Sequence, residues 1–281
     1  MRILTDSACD LPLHYLQQHD VTFFSLRVEL DGRDYADITD IQAEAIYAAL
    51  QAGKEPKTSQ VSPDTFYDVF EQMAKAGEEG IYIAFSAALS GTYATACMMR
   101  DQIKESYPNF TLHIIDSKCA SLGQGLVVQE AVRLKQSGMA LQPLVSELTA
   151  YAERVEHIFV VDDLHHLARG GRVSKSTAIV GGLLNIKPIL EISAEGKIES
   201  LDKARGQKRA LKQVITYMKE RSVDVSSQTV GIVHCNDAAL VEELKSMISA
   251  ELQPKDFYVS NVGAVISSHV GLGTFAVFFT K

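Results

Sequence analysis

At 281 residues the chain is long enough for two domains or one large one, and for a sizeable buried core. Hydrophobic residues make up 46% and charged residues 22%, ordinary proportions for a globular protein. The formal charge of −8, from 27 basic against 35 acidic residues, argues against a nucleic-acid-binding protein, although it leaves room for a local basic patch.

The opening "MRILTDSACD" has too short an apolar run for a signal peptide, and no stretch reaches the roughly 18 apolar residues of a membrane span. A soluble, cytoplasmic protein is therefore expected. Cys9, Cys97, Cys119 and Cys235 lie far apart with no CxxC pair, so they read as free thiols rather than a metal or disulfide framework.

Strand-like and helix-like segments alternate through the first half. "RILT" (Arg2–Thr5) reads as a strand, Leu11–His19 as a helix, and "VTFFSLRVEL" as extended. Asp40 is placed to cap a helix over "IQAEAIYAALQA", which Gly53 stops. Ser62 and Pro63 fit an N-cap and first helical position, for a helix ending near Ala76. Strand Ile81–Phe85, helix Thr92–Ser106, strand Thr111–Ile115 and helix Leu122–Gln136 follow. This alternation predicts βαβ units and a largely parallel sheet.

Beyond a domain boundary expected near Glu156 the pattern changes. "HIFVV" (His157–Val161) is a strand and "DDLHHLARGGR" a short helix stopped at Gly170-Gly171. "KPILEI" and "KIESLDK" flank "SAEG" as a hairpin, and Ala178–Ile192 is almost wholly apolar, core or pocket wall. An amphipathic helix (Gly206–Glu220), strand Thr229–His234 and helix Ala238–Ala250 come next. The last segment, "FYVSNVGAVISSHVGLGTFAVFFT", reads as two extended runs joined by a glycine-rich bend. The expected class is α/β: an N-terminal unit (1–156) with a largely parallel sheet and a C-terminal unit (157–281) with a mixed one.

Four hydroxyl-rich segments, "TDSACD", "TSQVS", "FSAALSGTY" and "DSKCASLGQG", fall where strands hand over to helices. Such places aim backbone N–H groups and hydroxyls at an anion, or simply let each Ser and Thr cap its own helix. No P-loop is present, and "GLGTFA" precedes a strand where a dinucleotide motif needs a helix. His165-His166 lacks further spaced ligands and is a poor zinc signal. Basic residues collect in "RGGRVSK" (Arg169, Arg172, Lys175) and in "KARGQKRALK", a solvated face or an anion-binding one.

"TDSACDLP", "TSQVSP", "SAALSGTYATA", "DSKCASLGQG", "LARGGRVSK", "LLNIKPIL", "KARGQKRAL" and "GAVISSHVGLGT" together resemble the signature segments of the DegV family over nearly the whole chain. That resemblance implies two α/β domains with a long-chain fatty acid between them. It also implies a role as the fatty-acid-binding subunit of a fatty acid kinase, presenting the carboxylate to a separate ATP-dependent catalytic subunit that makes an acyl-phosphate for phospholipid synthesis. Carried over residue by residue, Thr58, Ser59 and Ser90, with backbone groups at Gly91 and Thr92, look like the carboxylate ligands, and His269 lies near the lipid head. Arg169 or Arg172, and Arg205, look partner-facing. Neither metal nor cofactor is implied. This chain reads "HVGLG" where relatives often read "HTGPG", and its "SAALS" loop has Ala where relatives often carry Ser or Gly, which alters the pocket's shape. Two rivals are a serine esterase or acyl transferase using Ser90 and His269, and a docking protein in which the lipid is merely structural.

Overall fold

The computed structural model describes residues 1–174 and 185–281. Lys175 and the apolar segment from Ala178 to residue 184 lie outside them. β1 (Arg2–Asp6), β2 (Val21–Phe24), β6 (Gly80–Ala84) and β7 (Leu112–Asp116) form a four-stranded parallel sheet in the order β2-β1-β6-β7. Every residue of β6, GIYIA, is buried, as expected of a central parallel strand covered on both faces.

The stretch read as continuously extended breaks at Ser25-Leu26. Its second half is β3 (Arg27–Leu30), the middle of a separate antiparallel sheet between β4 (Arg33–Ala36) and β5 (Lys57–Ser59). α1 (Leu13–Gln18) and α2 (Ala43–Gln51) belong to this N-terminal part. Gln42, not Asp40, occupies the N-cap of α2, because the Asp40 carboxylate accepts the N–H of Ala36 and closes the turn before it.

α3 (Pro63–Ala76) begins on Ser62-Pro63 as expected and buries Phe66, Phe70 and Met73 on one face. There Phe24, Phe66 and Tyr82 stack with centroids 4.5–5.6 Å apart. α4 (Thr92–Ser106), α5 (Leu122–Gln136) and α6 (Leu141–Ala152) complete this part.

The C-terminal part is a six-stranded mixed sheet in the order β10-β9-β8-β13-β11-β12. Its strands are β8 (Val155–Val160), β9 (Ile186–Ile192), β10 (Ile198–Arg205), β11 (Thr229–His234), β12 (Asp256–Asn261) and β13 (Phe275–Thr280). Only β11 and β12 pair in parallel. α7 (His165–Arg169), α8 (Gln207–Arg221), α9 (Ala238–Leu252) and α10 (Ala264–Val270) connect them. α10 corrects the C-terminal reading: a two-turn helix, not a bend, separates β12 from β13.

Side chains alternate across this sheet as the strand period requires. Ile158, Val160, Ile232, Val277 and Phe279 pack in the cluster under α8 and α9, while Phe159, Val233, Ala276 and Phe278 face the N-terminal part. α5 lies between the two sheets, with Leu122, Leu126 and Val127 in the shared cluster. Gly123 and Gly125 permit that approach: a Cβ on Gly125 would sit 2.7 Å from the carbonyl of Cys9, and one on Gly123 would meet the ring of His157. The boundary expected near Glu156 falls just after the start of β8, and the hydrophobic cluster crosses it. No helix among the described residues is long and apolar enough to cross a membrane.

Candidate functional site

A cavity opens between the inward face of the mixed sheet and the loops leaving the parallel sheet. Its wall is mostly hydrocarbon, from Phe159, Val233, Ala276 and Phe278 on the sheet, Ile192 and Ile198 on the β9–β10 hairpin, and Val265, Ile266 and Val270 on α10. The hairpin reaches across to close it: the Ser86 hydroxyl donates to the carbonyl of Gly196 in the turn, at 2.7 Å.

Polar groups gather at one end. Thr58 lies on the edge strand β5 opposite Val28, and its Oγ1 is 2.6 Å from Nε2 of His269 on α10. α10 is anchored at its start by the N–H of Gly263, which donates to Asp10. Burial, then the nearby charges of Arg172 and Arg169, depress the His269 pKa to about 3, so the ring is neutral at pH 7. Its Nδ1 is buried without a hydrogen-bond partner among the described residues, packed against Gly170 at the end of α7. Arg172 is half-buried, and burial lowers its pKa. Among the described residues its partners are the backbone carbonyls of Leu89 and Gly170 rather than a carboxylate. Ser90 lies in the turn before α4, where its Oγ is 2.9 Å from Oγ1 of Thr92 and accepts the Thr92 N–H.

Of the residues the sequence pointed to, Thr58, Ser59, Ser90, Arg172 and His269 line the cavity, while Gly91 and Thr92 stand just behind Ser90. Arg172 is half-buried and borders both the cavity and the polar cleft described next. Arg169 is exposed and paired with Glu55 at 2.9 Å, and Arg205 is exposed at the end of β10. A second, polar cleft adjoins the mouth, with Lys57, His166 and Arg169 beside Thr58, Arg172 and His269.

Two of the four hydroxyl-rich segments turn out to bond mainly inward. Thr5 donates to the Ile83 carbonyl, Ser7 accepts the N–H of Leu26, and Ser117 donates to the Ala84 carbonyl. Ser121 donates to the buried Asp10 carboxylate, yet it lines the cavity, as do Gln60 and His157, which the sequence reading passed over. Among the described residues no group of three or more His, Cys, Asp or Glu side chains is placed to hold a metal ion.

The site is thus an apolar cavity with hydroxyls, a neutral imidazole and, at one end, a guanidinium with no carboxylate partner among the described residues. A family model described as "Uncharacterised protein, DegV family" matches residues 1–281. A DegV domain-containing protein of Clostridium perfringens is 38% identical over 279 residues, which cover 99% of this chain and 96% of that one. Among solved structures, a DegV family protein from Thermus thermophilus, described by its fatty acid binding, is 30% identical with a TM-score of 0.89 and full coverage of both chains. A fatty acid binding DegV family protein from Streptococcus agalactiae is 30% identical with a TM-score of 0.87, covering 100% of this chain and 99% of its own.

Proposed function

This chain belongs to the DegV family, and we propose that it binds one long-chain fatty acid in its cavity with the carboxylate at Thr58, Ser90 and His269. The observation that carries this reading is the cavity itself: hydrocarbon wall along its length, and a polar end holding the positive charge of Arg172 with no carboxylate partner among the described residues. Burying about 15 methylenes at roughly 0.8 kcal/mol each gives on the order of 12 kcal/mol before any ordering cost. Each charge-assisted hydrogen bond at the carboxylate adds about 1.5–3 kcal/mol. The chain therefore dominates affinity, and the polar end decides which way round the acid lies.

Orientation is what a phosphate acceptor needs. In our reading the protein is a cytoplasmic carrier whose two units, 1–156 and 157–281, hold the acid between them and present its carboxylate to a separate ATP-dependent kinase. The product is an acyl-phosphate destined for phospholipid synthesis. Arg169 and Arg205, exposed near the mouth and at the end of β10, are the partner-facing cations, and Arg172 serves the carboxylate. A hydrolase reading is disfavoured by the site, because Ser90 meets Thr92 instead of His269, and an imidazole with a pKa of about 3 is a weak general base.

Mass spectrometry of the extract from denatured purified protein tests the first step: about one equivalent of a long-chain acid is expected, and delipidated protein that takes up none would refute the reading. A kinase assay tests the second. Ser90→Ala and Thr58→Ala should keep their lipid yet be phosphorylated poorly, since misplacing a reacting oxygen by about 1 Å costs roughly a hundredfold. Arg205→Ala should keep lipid but need more kinase as salt rises. Full-rate phosphorylation of Ser90→Ala would overturn the assignment of roles.

A further inference from the structure

The polar cleft that adjoins the cavity's mouth carries more positive charge than a carboxylate requires. Three elements enclose it: the approach to β5 with Glu55 and Lys57, the end of α7 with His166 and Arg169, and the last turn of α10 with His269. Side-chain bonds hold these elements together. Arg169 donates to Glu55 at 2.9 Å, tying α7 to the approach to β5, and Thr58 Oγ1 lies 2.6 Å from His269 Nε2, tying β5 to α10. Arg169 also donates to Nδ1 of His166 at 3.2 Å, so its guanidinium is fixed from two sides. Thr58, Arg172 and His269 line the cavity and the cleft alike, so the two spaces share one wall.

The cleft's described lining holds three cations, Lys57, Arg169 and Arg172, against the one carboxylate of Glu55. His166 and His269 add no charge at pH 7, since burial holds both rings below the ordinary imidazole value of 6.5. Arg169 and Glu55 neutralise one another. Lys57 is exposed and forms no ion pair among the described residues, even with Glu29 opposite it on β3. Arg172 bonds only to backbone carbonyls among the described residues. Two uncompensated positive charges thus meet here, on a protein of formal charge −8. A fatty-acid carboxylate offsets one of them. A phosphoryl group carried on that carboxylate brings a total of about −1.5 to −2 at pH 7 and three acceptor oxygens, enough for both. Position agrees with charge. With the acyl chain in the cavity and the carboxylate at Thr58 and His269, a group joined to its outer oxygen extends away from the chain, where the cleft lies.

We propose that this cleft holds the phosphoryl group of a long-chain acyl-phosphate, with Lys57 and Arg172 as its charge partners. The inference rests on the fatty-acid reading and extends it from the acid to its product. In the transfer a carboxylate oxygen attacks the terminal phosphorus of a nucleoside triphosphate held by the partner. The new O–P bond forms as the bond to the diphosphate breaks, the diphosphate leaves with the electron pair, and no proton moves. The phosphoryl group then exchanges the nucleotide for Lys57 and Arg172, and the product stays on its carrier when the partner departs.

The test needs no kinase. Delipidated full-length protein is titrated calorimetrically with palmitate, 2-oxoheptadecylphosphonate and 2-heptadecanone. The phosphonate keeps the palmitoyl carbonyl with CH2 in place of the bridging oxygen, and the ketone lacks only its phosphonate group. The phosphonate should bind at least about tenfold tighter than the ketone, the worth of one charge-assisted hydrogen bond. Lys57→Met should remove about five- to tenfold of that gain, and Glu55→Gln, which frees Arg169, should add about two- to fivefold. Palmitate affinity should change by less than about threefold in both exposed-site variants. Inorganic phosphate at the same concentration should not displace the phosphonate. Palmitate binding with no gain from the phosphonate, a gain that survives whole in Lys57→Met, or displacement by inorganic phosphate would overturn the inference alone. Failure to bind palmitate would overturn the underlying fatty-acid reading with it.

Discussion

Gly170→Ala is the most direct single perturbation of the polar end. Gly170 follows α7 at φ −70° and ψ −10°, a right-handed helical conformation that alanine adopts freely, so the change carries no backbone penalty. Its effect is purely one of space. A Cβ there would lie 2.8 Å from Cε1 of His269 and closer still to Nδ1, whereas ordinary contact begins at 3.4 Å. The ring must therefore retreat by at least 0.6 Å, the difference between those distances, and by more at Nδ1. Its bond to Thr58, now 2.6 Å, stretches or breaks.

Losing one such bond costs about 0.5–1.5 kcal/mol, or roughly two- to twelvefold in affinity for the acid. The acyl chain's own contribution is untouched, so the variant should still purify with lipid. Acyl-phosphate formation should fall much further, toward the hundredfold expected for a misplacement of about 1 Å. The assay pairs calorimetric titration of a long-chain acid with ring-nitrogen NMR of His269. Gly171→Ala is the control. With φ +74° and no atom of the described residues within 4 Å of its Cβ, it should cost about 1 kcal/mol of stability through the backbone alone and leave acid affinity unchanged. Wild-type affinity and unshifted His269 signals in Gly170→Ala would refute this reasoning, as would an equal loss of affinity in the control.

Two further outcomes concern stability against pH. Burial raises the Asp37 pKa from its ordinary 3.8 to about 7, so between those values the folded state holds a proton that the unfolded chain releases. Stability therefore falls as pH rises through that window, and Asp37→Asn should gain on the wild type by on the order of 4 kcal/mol between pH 4 and pH 8 in urea titrations; an unchanged difference between the two pH values would contradict this. Glu156 behaves oppositely: burial pushes its pKa up, but the hydrogen bonds from Lys281 and Arg221 together outweigh it and hold the carboxyl below its ordinary 4.5. The stabilisation is present above pH 4.5 and lost as pH falls below it, so Glu156→Gln should lower the melting temperature at pH 7 and not at pH 3, and an equal drop at both would count against the ion network.

The regular elements were largely legible because their signals are local. α3, α4 and α5 stand where capping residues and period placed them, and the hairpin around "SAEG" formed as β9 and β10. α10 was not legible. "AVISSHV" is rich in β-branched residues, and its seven residues are held by tertiary bonds, with Gly263 on Asp10 and Tyr47 on the carbonyl of Val262, more than 200 positions away in sequence. β5 escaped for the same reason, since three mostly exposed residues take their strand geometry from pairing with β3. At the site, composition offered four hydroxyl-rich segments without ranking them. Thr5, Ser7 and Ser117 bond to partners remote in sequence, a fact no local pattern carries. Ser90 and His269 drew notice as residues, the one as a serine before a helix and the other beside glycines, but only the resemblance joined them to Thr58 as groups around one carboxylate. His157 gave no signal at all, because a histidine near the start of a strand reads alike whether its ring meets solvent or a cavity.

The cavity and the folding core turn out to be one surface. The sheet face that carries Phe159, Val233, Ala276 and Phe278 belongs to the same hydrophobic cluster as Leu122 and Leu126 of α5, and its four side chains also line the cavity. Gly123 and Gly125 bring α5 close to β8 and to Cys9, and so set the separation of the two sheets along that edge. Whatever fills the cavity is therefore packed by the same contacts that hold the sheets together. A bound acid then stabilises the fold by mass action, about 2.7 kcal/mol at a free concentration one hundred times its dissociation constant. On the proposed reading, substitutions that loosen α5 should weaken lipid binding even though none of them touches the carboxylate end. Under the proposed function cargo occupancy and fold stability are then two readings of one equilibrium, and the polar end, which adds less to affinity than the acyl chain, sets orientation.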